Sequence, residues 1–279
     1  LPTLRLPDDA AGIRASRVVF DREGFETRLW SGRVFRPATI GRLGLEAAFL
    51  RFEERDTPTR RTRDRHLSNL EVRLVAPPAP NKVELELNVI RQTGSIAPSL
   101  AATLVRQPVE AWYGHARIGY GWASPWHPRL ALEADYATGN RPGSGQYGRF
   151  DSLFGQRRAD YSPAGLYNAI NRSNLILIGP RVDIAPSPRL DAFASVKKMW
   201  LDSARDGFAT TGVVDPTGQS GRDAGWQIDG RMRYWAIPKQ LQLSVDGTVI
   251  AKGRFLRTAP NRASAADALF AALSATAFF

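Results

Sequence analysis

Basic side chains recur at alternate positions of several extended segments, which places them on a common strand face. Arginine dominates, with 33 Arg and five Lys among the 38 basic residues. A guanidinium group presents a planar fork of donors that matches carboxylate or phosphate, and it stays charged when partly buried. With a net charge of +11, the sequence favours an anionic partner such as a polyuronate, a nucleic acid or a lipid headgroup. A GC-rich genome, which favours arginine codons, would explain part of the same bias.

Ten of these cations are candidate anion-binding residues. If the apolar strand faces point outward, eight point inward: Arg73, Arg117, Arg181, Lys197, Arg231, Arg233, Lys252 and Arg254. Arg157 and Arg158 follow a loop motif and would meet an anion at the mouth. Carboxylates share the inward face, so cross-strand pairs could position the cations or simply neutralise them around a solvated interior. These carboxylates are Glu71, Glu84, Glu86, Glu133, Asp135, Asp183, Asp191, Asp229 and Asp246.

Residues for catalysis or metal binding are scarce. The chain has no Cys, and its three His residues are His66, His115 and His127. Neither G-x-S-x-G nor H-E-x-x-H occurs, and the Gly-rich segment 139–148 lacks the Lys-Ser/Thr of a phosphate loop. We predict that His115 fills a polar network beside Arg117. We also predict no catalytic residue, no metal and no cofactor, and therefore no enzyme.

Alternation with a period of two dominates the chain and predicts strands. In segment 111–123, Trp112 and Ile118 fall on one face, whereas His115 and Arg117 fall on the other. Twelve segments are predicted strands, the first three with ambiguous phase: Ile13–Phe20, Phe25–Phe35, Arg42–Glu53, His66–Val75, Lys82–Gln92, Ala111–Ala123, Arg129–Ala137, Leu175–Ile184, Arg189–Leu201, Ala224–Ala236, Leu241–Leu256 and Leu269–Phe279. Many of them have the length of tilted membrane-spanning strands, about 9–11 residues, rather than the usual 5–6.

The connections between these strands alternate in length. The short ones carry proline: Ala76–Asn81, Ser124–Pro128, Ala185–Pro188 and Ile237–Gln240. The long ones are polar and Gly-rich: Glu54–Arg65, Thr93–Gln107, Thr138–Arg172, Asp202–Asp223 and Arg257–Asp267. An up-and-down barrel with tight turns at one rim and long loops at the other predicts this alternation. We therefore predict an all-β, up-and-down antiparallel transmembrane β-barrel of about twelve strands, forming one domain over 1–279.

Two segments have a second interpretation. The final residues, ending on Phe279, alternate as a strand but have the alanine content of an amphipathic helix. We favour the strand because of the loop alternation. The long loop 138–172 contains Phe150, Leu153 and Phe154, and a loop of this length with apolar residues should pack its own core or fold into the lumen.

The sequence resembles the alginate export family of outer-membrane β-barrels. The resemblance rests on these segments: GYGW at Gly119–Trp122, PRLALEADYATGN at Pro128–Asn140, the loop Tyr147–Leu175, the tract Asp215–Trp235 and KGRFL at Lys252–Leu256. It covers residues 110–279 well and 17–109 loosely. The tract from Asp135 and Tyr136 through FDSLF at 150–154 is the most specific part, and the other segments are generic to barrels.

The resemblance implies a monomeric channel in the bacterial outer membrane that passes an anionic polysaccharide or oligosaccharide, such as alginate. The implied partners are that saccharide, outer-membrane lipid and periplasmic export machinery, with no nucleic acid. Family members are larger, with about eighteen strands, so the chain would lack N-terminal strands or close as a smaller barrel. Two alternatives stay open: a membrane-embedded hydrolase resembling a phospholipase, and a soluble basic β-sandwich that binds polyanions.

Overall fold

Twelve strands form one sheet in chain order, each antiparallel to its neighbours. The structure, a computed structural model, describes residues 3–7, 10–18, 21–57, 61–100, 105–153 and 170–279. The strands are β1 (Thr3–Pro7), β2 (Asp21–Ile40), β3 (Leu43–Glu54), β4 (His66–Ala76), β5 (Lys82–Ile96), β6 (Gln107–Gly121), β7 (Arg129–Ala137), β8 (Leu175–Ser187), β9 (Leu190–Trp200), β10 (Asp223–Ile237), β11 (Leu241–Lys252) and β12 (Ala268–Ala277). Two short helices, α1 (Ala10–Arg14) and α2 (Arg254–Thr258), lie between strands. None of the helices described is long and apolar enough to cross a bilayer.

The all-β class, the antiparallel pairing and the up-and-down order are confirmed. Among the described residues, β12 pairs with β11 and β1 pairs with β2, and no pairing joins β12 to β1. The sheet is therefore open at these two edges, and closure into a barrel stays a prediction.

Two predicted strands need correction. The strand at Ile13–Phe20 is wrong, because its first residues belong to α1, whose backbone bonds include Ala15 N to Ala11 O at 3.0 Å. Alanine at 10 and 11 favours a helix, and the alternation there is too short to oppose it. The last strand before the C-terminal loop is shorter than predicted, since β11 ends at Lys252 and α2 follows. A Cβ at Gly253 would lie 2.6 Å from the carbonyl oxygen of Asp223, so a glycine is needed where the chain leaves the sheet.

Short and long connections alternate through the whole sheet, as predicted for the chain from Arg51 onward. The short turns span residues 41–42, 77–81, 122–128, 188–189 and 238–240. The long connections span 8–20, 55–65, 97–106, 138–174, 201–222 and 253–267. Because the strands alternate in direction, all short turns lie at one end of the sheet. We call this the short-turn end and the opposite end the long-loop end.

The sheet has an exposed apolar face and a buried polar face, the reverse of a sheet in a water-soluble protein. On β10, the side chains of Ile228 and Met232 are 44% and 47% exposed, whereas Gln227 and Asp229 are 0% and 4% exposed. The apolar face includes Leu70, Val72, Val89, Trp112, Ile118, Leu130, Leu132, Ile178, Val182, Val196, Trp226, Ile228, Met232, Leu243, Val245 and Leu273. The polar face includes Glu46, Glu71, Arg73, Glu84, Glu86, Asn88, His115, Arg117, Glu133, Asp135, Arg181, Asp183, Asp191, Ser195, Lys197, Gln227, Asp229, Arg231, Arg233, Asp246 and Thr248.

An arginine on the apolar face should prevent the sheet from folding into lipid. We expect Ile228→Arg to cost about 2–4 kcal/mol of folding free energy in phospholipid vesicles, the range for a cation near the bilayer midplane. The matched control is Asn88→Lys on the polar face, where the new ammonium would meet Glu71, which Asn88 already contacts at 2.6 Å. Urea titrations of the vesicle-bound protein measure both. Equal losses of folding free energy in the two variants would contradict the assignment of Ile228 to the lipid-facing side.

Candidate functional site

A carboxylate held between two cations occupies the middle of the polar face. Glu133 on β7 contacts Lys197 Nζ at 2.8 Å with one oxygen and the guanidinium of Arg117 with the other. Lys197 lies on β9, and its side chain crosses Gly179 of β8, which pairs with Glu133 in the sheet. A Cβ at Gly179 would lie 1.9 Å from the carbonyl oxygen of Val196 and 2.7 Å from Lys197 Cα, so a glycine is needed for the backbones of β8 and β9 to approach this closely. Burial leaves Glu133 and Lys197 almost inaccessible, which makes their mutual neutralisation obligatory.

Four other predicted cations of the strands are also paired with carboxylates. Arg73 contacts Glu86 at 2.8 Å, Arg181 contacts Asp183 at 2.7 Å, Arg231 contacts Asp246 at 2.5 Å, and Arg233 contacts Asp191 at 2.8 Å. These pairs join neighbouring strands or neighbouring positions of the polar face. These contacts agree with the interpretation that the charges of the polar face neutralise one another. Their role in binding an anion stays a prediction.

The charge of the chain is divided between strands and connections. The twelve strands contain 17 basic and 17 acidic residues, so the net +11 comes entirely from the connections. The five short turns contribute Arg42, Arg189 and Lys239, and none of them contains Asp or Glu. Consequently the wall of the sheet has no net charge, while both ends are basic.

A polar cavity opens beside the carboxylate that the two cations share. It has a volume of about 230 Å³, and ten residues line it: Glu86, Asn88, Tyr113, His115, Arg117, Glu133, Asp135, Arg172, Arg181 and Lys197. The Tyr113 hydroxyl donates to Asp135 Oδ1 at 2.7 Å, and His115 Nδ1 lies 2.9 Å from the same oxygen. The predicted place of His115 in a polar network is confirmed. Across the described residues, no group of three or more His, Asp or Glu side chains has the arrangement of a metal site.

Long loops cover the polar face at the long-loop end. Phe150 stacks on Tyr113 with ring centroids 5.6 Å apart, and both pack in an apolar cluster with Phe52, Leu67 and Leu153. The prediction that Phe150 and Leu153 pack as a core against the interior is confirmed. Phe154 lies outside the described residues. A second apolar cluster lies alongside and contains Leu175, Leu177, Met199, Leu201, Phe208, Phe255 and Leu256.

Hydrogen bonds tie these loops to one another. Arg149 donates to Asp206 Oδ2 at 2.8 Å and to the carbonyl oxygen of Gly207 at 2.6 Å. The side-chain amide of Asn174 donates to the carbonyl oxygen of Ser203 at 3.1 Å. We call residues 147–153, 170–174, 201–222 and 253–259 the loop cap. The two apolar clusters and these bonds hold the loop cap against the long-loop end of the sheet.

Arg65 and Asp215 are charged groups in the loops whose pKa values are shifted. Burial alone would lower the pKa of Arg65, but its bonds to Glu54 at 2.7 Å and Asp151 at 2.6 Å raise it above its usual range. Arg65 thereby joins loop 55–65 to the loop cap. The Thr217 hydroxyl donates to Asp215 Oδ1 at 2.6 Å and holds the pKa of that carboxyl well below its usual range.

The remaining predicted site residues do not join the central cluster. Lys252 ends β11, and its Nζ donates to the carbonyl oxygen of Ser264 at 2.8 Å, at the long-loop end. Arg254 was wrongly placed on a strand: it lies in α2 because the chain turns at Gly253, and its guanidinium donates to the carbonyl oxygen of Gln219 at 3.1 Å. Arg157 and Arg158 lie outside the described residues.

The sequence reasoning missed two arginines at the short-turn end. Arg33 lies on the polar-face side of β2, opposite Ala48, and Arg42 lies in the two-residue turn 41–42. The phase of β2 could not be read, because Val34 and Phe35 are adjacent apolar residues and interrupt the alternation. The partner strand β3 could have identified Arg33. Its Glu46 and Ala48 point inward, and the residue opposite Ala48 must point to the same side.

Comparison of the chain with known families gives a result that agrees with the fold and with the charged polar face. A family model described as alginate export matches residues 20–270. The chain belongs to the alginate export family. The match spans most of the chain and includes β2 to β5, where the resemblance in the sequence was loose. The family's description is alginate export, which is the transport of a polysaccharide at the outer membrane. No curated protein matches the chain.

Two structural observations weigh against the alternative functions. His115 faces Asp135 on the polar face, whereas a lipid-cleaving His would have to face the lipid near a rim. All twelve strands belong to one sheet, whereas a β-sandwich needs two sheets packed through their apolar faces. The exposed apolar face would also make a soluble sandwich prone to aggregation.

Removing the lysine that neutralises Glu133 should destabilise the fold. We expect Lys197→Met to lower the free energy of unfolding by about 2 kcal/mol, below the roughly 3–5 of a fully broken buried pair because Arg117 still contacts Glu133. The control is Lys239→Met in the exposed turn 238–240, which should change it by less than about 0.5 kcal/mol. Denaturant titrations in detergent micelles measure both. A loss for Lys197→Met no greater than for the control would show that the pair carries no stability.

Proposed function

We propose that the chain is an outer-membrane channel through which an acidic polysaccharide or oligosaccharide, such as alginate, passes. The observation that carries this proposal is the reversed amphipathicity of the sheet, together with the membership of the alginate export family. An exposed apolar band needs lipid, and a polar face rich in charged side chains needs water. A sheet that satisfies both closes around the polar face and turns the apolar face toward the bilayer.

In this proposal the polar face lines the lumen, and its ion pairs bind the polymer weakly. A carboxylate uses only part of the five N–H donors of a guanidinium, so a paired arginine can still donate to a passing uronate. The partner carboxylate reduces the net attraction, which keeps each site weak. Transport requires such binding, favourable enough to admit the polymer and weak enough to release it.

The loop cap would be the gate of this channel. It packs two apolar clusters across the long-loop end of the polar face, where a hydrated polymer finds no polar partner. A hydrophobic constriction holds a pore closed by excluding water. Passage therefore requires the loop cap to move, and the bonds of Arg149 and Asn174 between the two loops are those that must break.

Conductance measurements test the proposed function. We expect the protein refolded into a planar bilayer to carry ions and to be blocked by added polyuronate, because acidic sugars bind in the lumen. Anion selectivity in a salt gradient should be modest, since the strands carry 17 basic and 17 acidic residues.

The matched control is a neutral polysaccharide of the same chain length. Block by the polyuronate alone supports an acidic substrate. Equal block by the neutral polymer would limit the function to a general porin. A protein that stays soluble without detergent and forms no channel would contradict the membrane assignment.

A further inference from the structure

A basic cavity lies at the short-turn end, apart from the central cluster of the polar face. It has a volume of about 600 Å³ and opens widely to the outside between β2, β3 and β4. Its lining contains three arginines, Arg33, Arg42 and Arg73, but a single carboxylate, that of Glu46. No other described cavity has such an excess of positive charge.

The single carboxylate only partly neutralises the arginines. Glu46 lies 3.5 Å from Arg33 and 3.6 Å from Arg73, longer than the 2.8 Å between Arg73 and Glu86. The Arg33 side chain is 69% exposed, so most of its guanidinium faces the cavity and solvent. A second anion can therefore approach Arg33 without displacing a short ion pair.

Arg42 is fixed in place without any carboxylate. Its guanidinium donates to the carbonyl oxygens of Pro77 and Val83, the latter at 3.2 Å, and no acidic side chain in the described part of the chain lies within 4.0 Å. The turn 77–81 contains three prolines, which hold its backbone rigid. The cation is thus already oriented, so binding an anion costs little side-chain entropy.

An aromatic ring lies beside the three arginines. Phe35 packs over Gly44, where a Cβ would stand only 3.0 Å from the Phe35 ring, so Gly44 leaves room for the ring against the sheet. Phe35 is 47% exposed and borders the cavity. An apolar ring next to charged forks suits a sugar acid, whose C–H face is apolar and whose carboxylate is an anion.

We propose that this cavity is the site where a uronate of the acidic polysaccharide first binds the protein, with its carboxylate between Arg33 and Arg42 and its ring on Phe35. This inference rests on the proposed function and assigns the short-turn end as the side from which the polymer arrives. Arg73 then lies at the junction with the lumen, because it lines this cavity and pairs with Glu86, which lines the central one. The loop cap covers the opposite end, which leaves the short-turn end as the open approach.

One-sided block of single channels tests this inference. A short oligouronate is added on either side of a bilayer that holds the wild-type protein, Arg33→Gln, Arg42→Gln or the control Arg61→Gln. Arg61 is an exposed arginine of the long loop 55–65, paired with Asp56 at 3.3 Å. Because the chain has no Cys, a single Ala79→Cys in a short turn, reacted with an impermeant maleimide, reports the orientation of each channel.

We expect Arg33→Gln and Arg42→Gln to slow block from the short-turn side about tenfold and to leave block from the long-loop side unchanged, since nearby charge acts on association. Arg61→Gln should leave block from the short-turn side at the wild-type rate. A rate for Arg33→Gln equal to that of the control would overturn the assigned site while the channel function stands. Wild-type channels that no oligouronate blocks would instead overturn the proposed function. Because Arg33 is exposed, its substitution tests the site even where Arg42→Gln disturbs the turn.

Discussion

The reversed placement of apolar and charged side chains is the constraint on which the rest of the structure depends. The exposure of the apolar side chains of Ile228 and Met232 on one face is unfavourable in water. The burial of the charged Glu133 and Lys197 on the other face is tolerated only because the two residues form an ion pair. The two requirements act together, because a shift of one residue in strand register would exchange the faces. The ion pairs across β7 to β11 therefore also fix the register that keeps the apolar face outward.

The division of charge gives this arrangement a functional consequence. The strands have no net charge, so in the proposed channel the interior would attract an anion through local donors rather than through a strong field. The excess positive charge lies in the connections, where it can guide a polymer toward the pore without trapping it inside. At the short-turn end, Arg42 of the turn 41–42 and Arg33 of β2 lie beside an open cavity, whereas the loop cap occupies the other end.

Much of the fold could be predicted from the sequence, because strand period and turn chemistry are local properties. From β3 onward the alternation located every strand, and the proline-bearing turns located one end of the sheet. The prediction for the N-terminal region was wrong because α1 depends on a few alanines. The prediction for Arg254 was wrong because β11 ends just before Gly253, where a Cβ would lie too close to the carbonyl oxygen of Asp223, a residue 30 positions away in the sequence. The strand alternation in the sequence identified the cations of the site but not their partners. Lys197 on β9 reaches Glu133 on β7 across Gly179 of β8, so this contact depends on the pairing of three strands.

The central claim is that alternate residues of one strand face lipid and water. Nitroxide labels on single cysteines at Ile228, Met232 and Arg233 of β10 test it directly, since the native chain contains no Cys. In lipid vesicles, the labels at 228 and 232 should be relaxed by oxygen, which concentrates in lipid, and the label at 233 by a water-soluble nickel complex. Equal access of the nickel complex to all three positions would contradict the lipid-facing apolar face and with it the proposed channel.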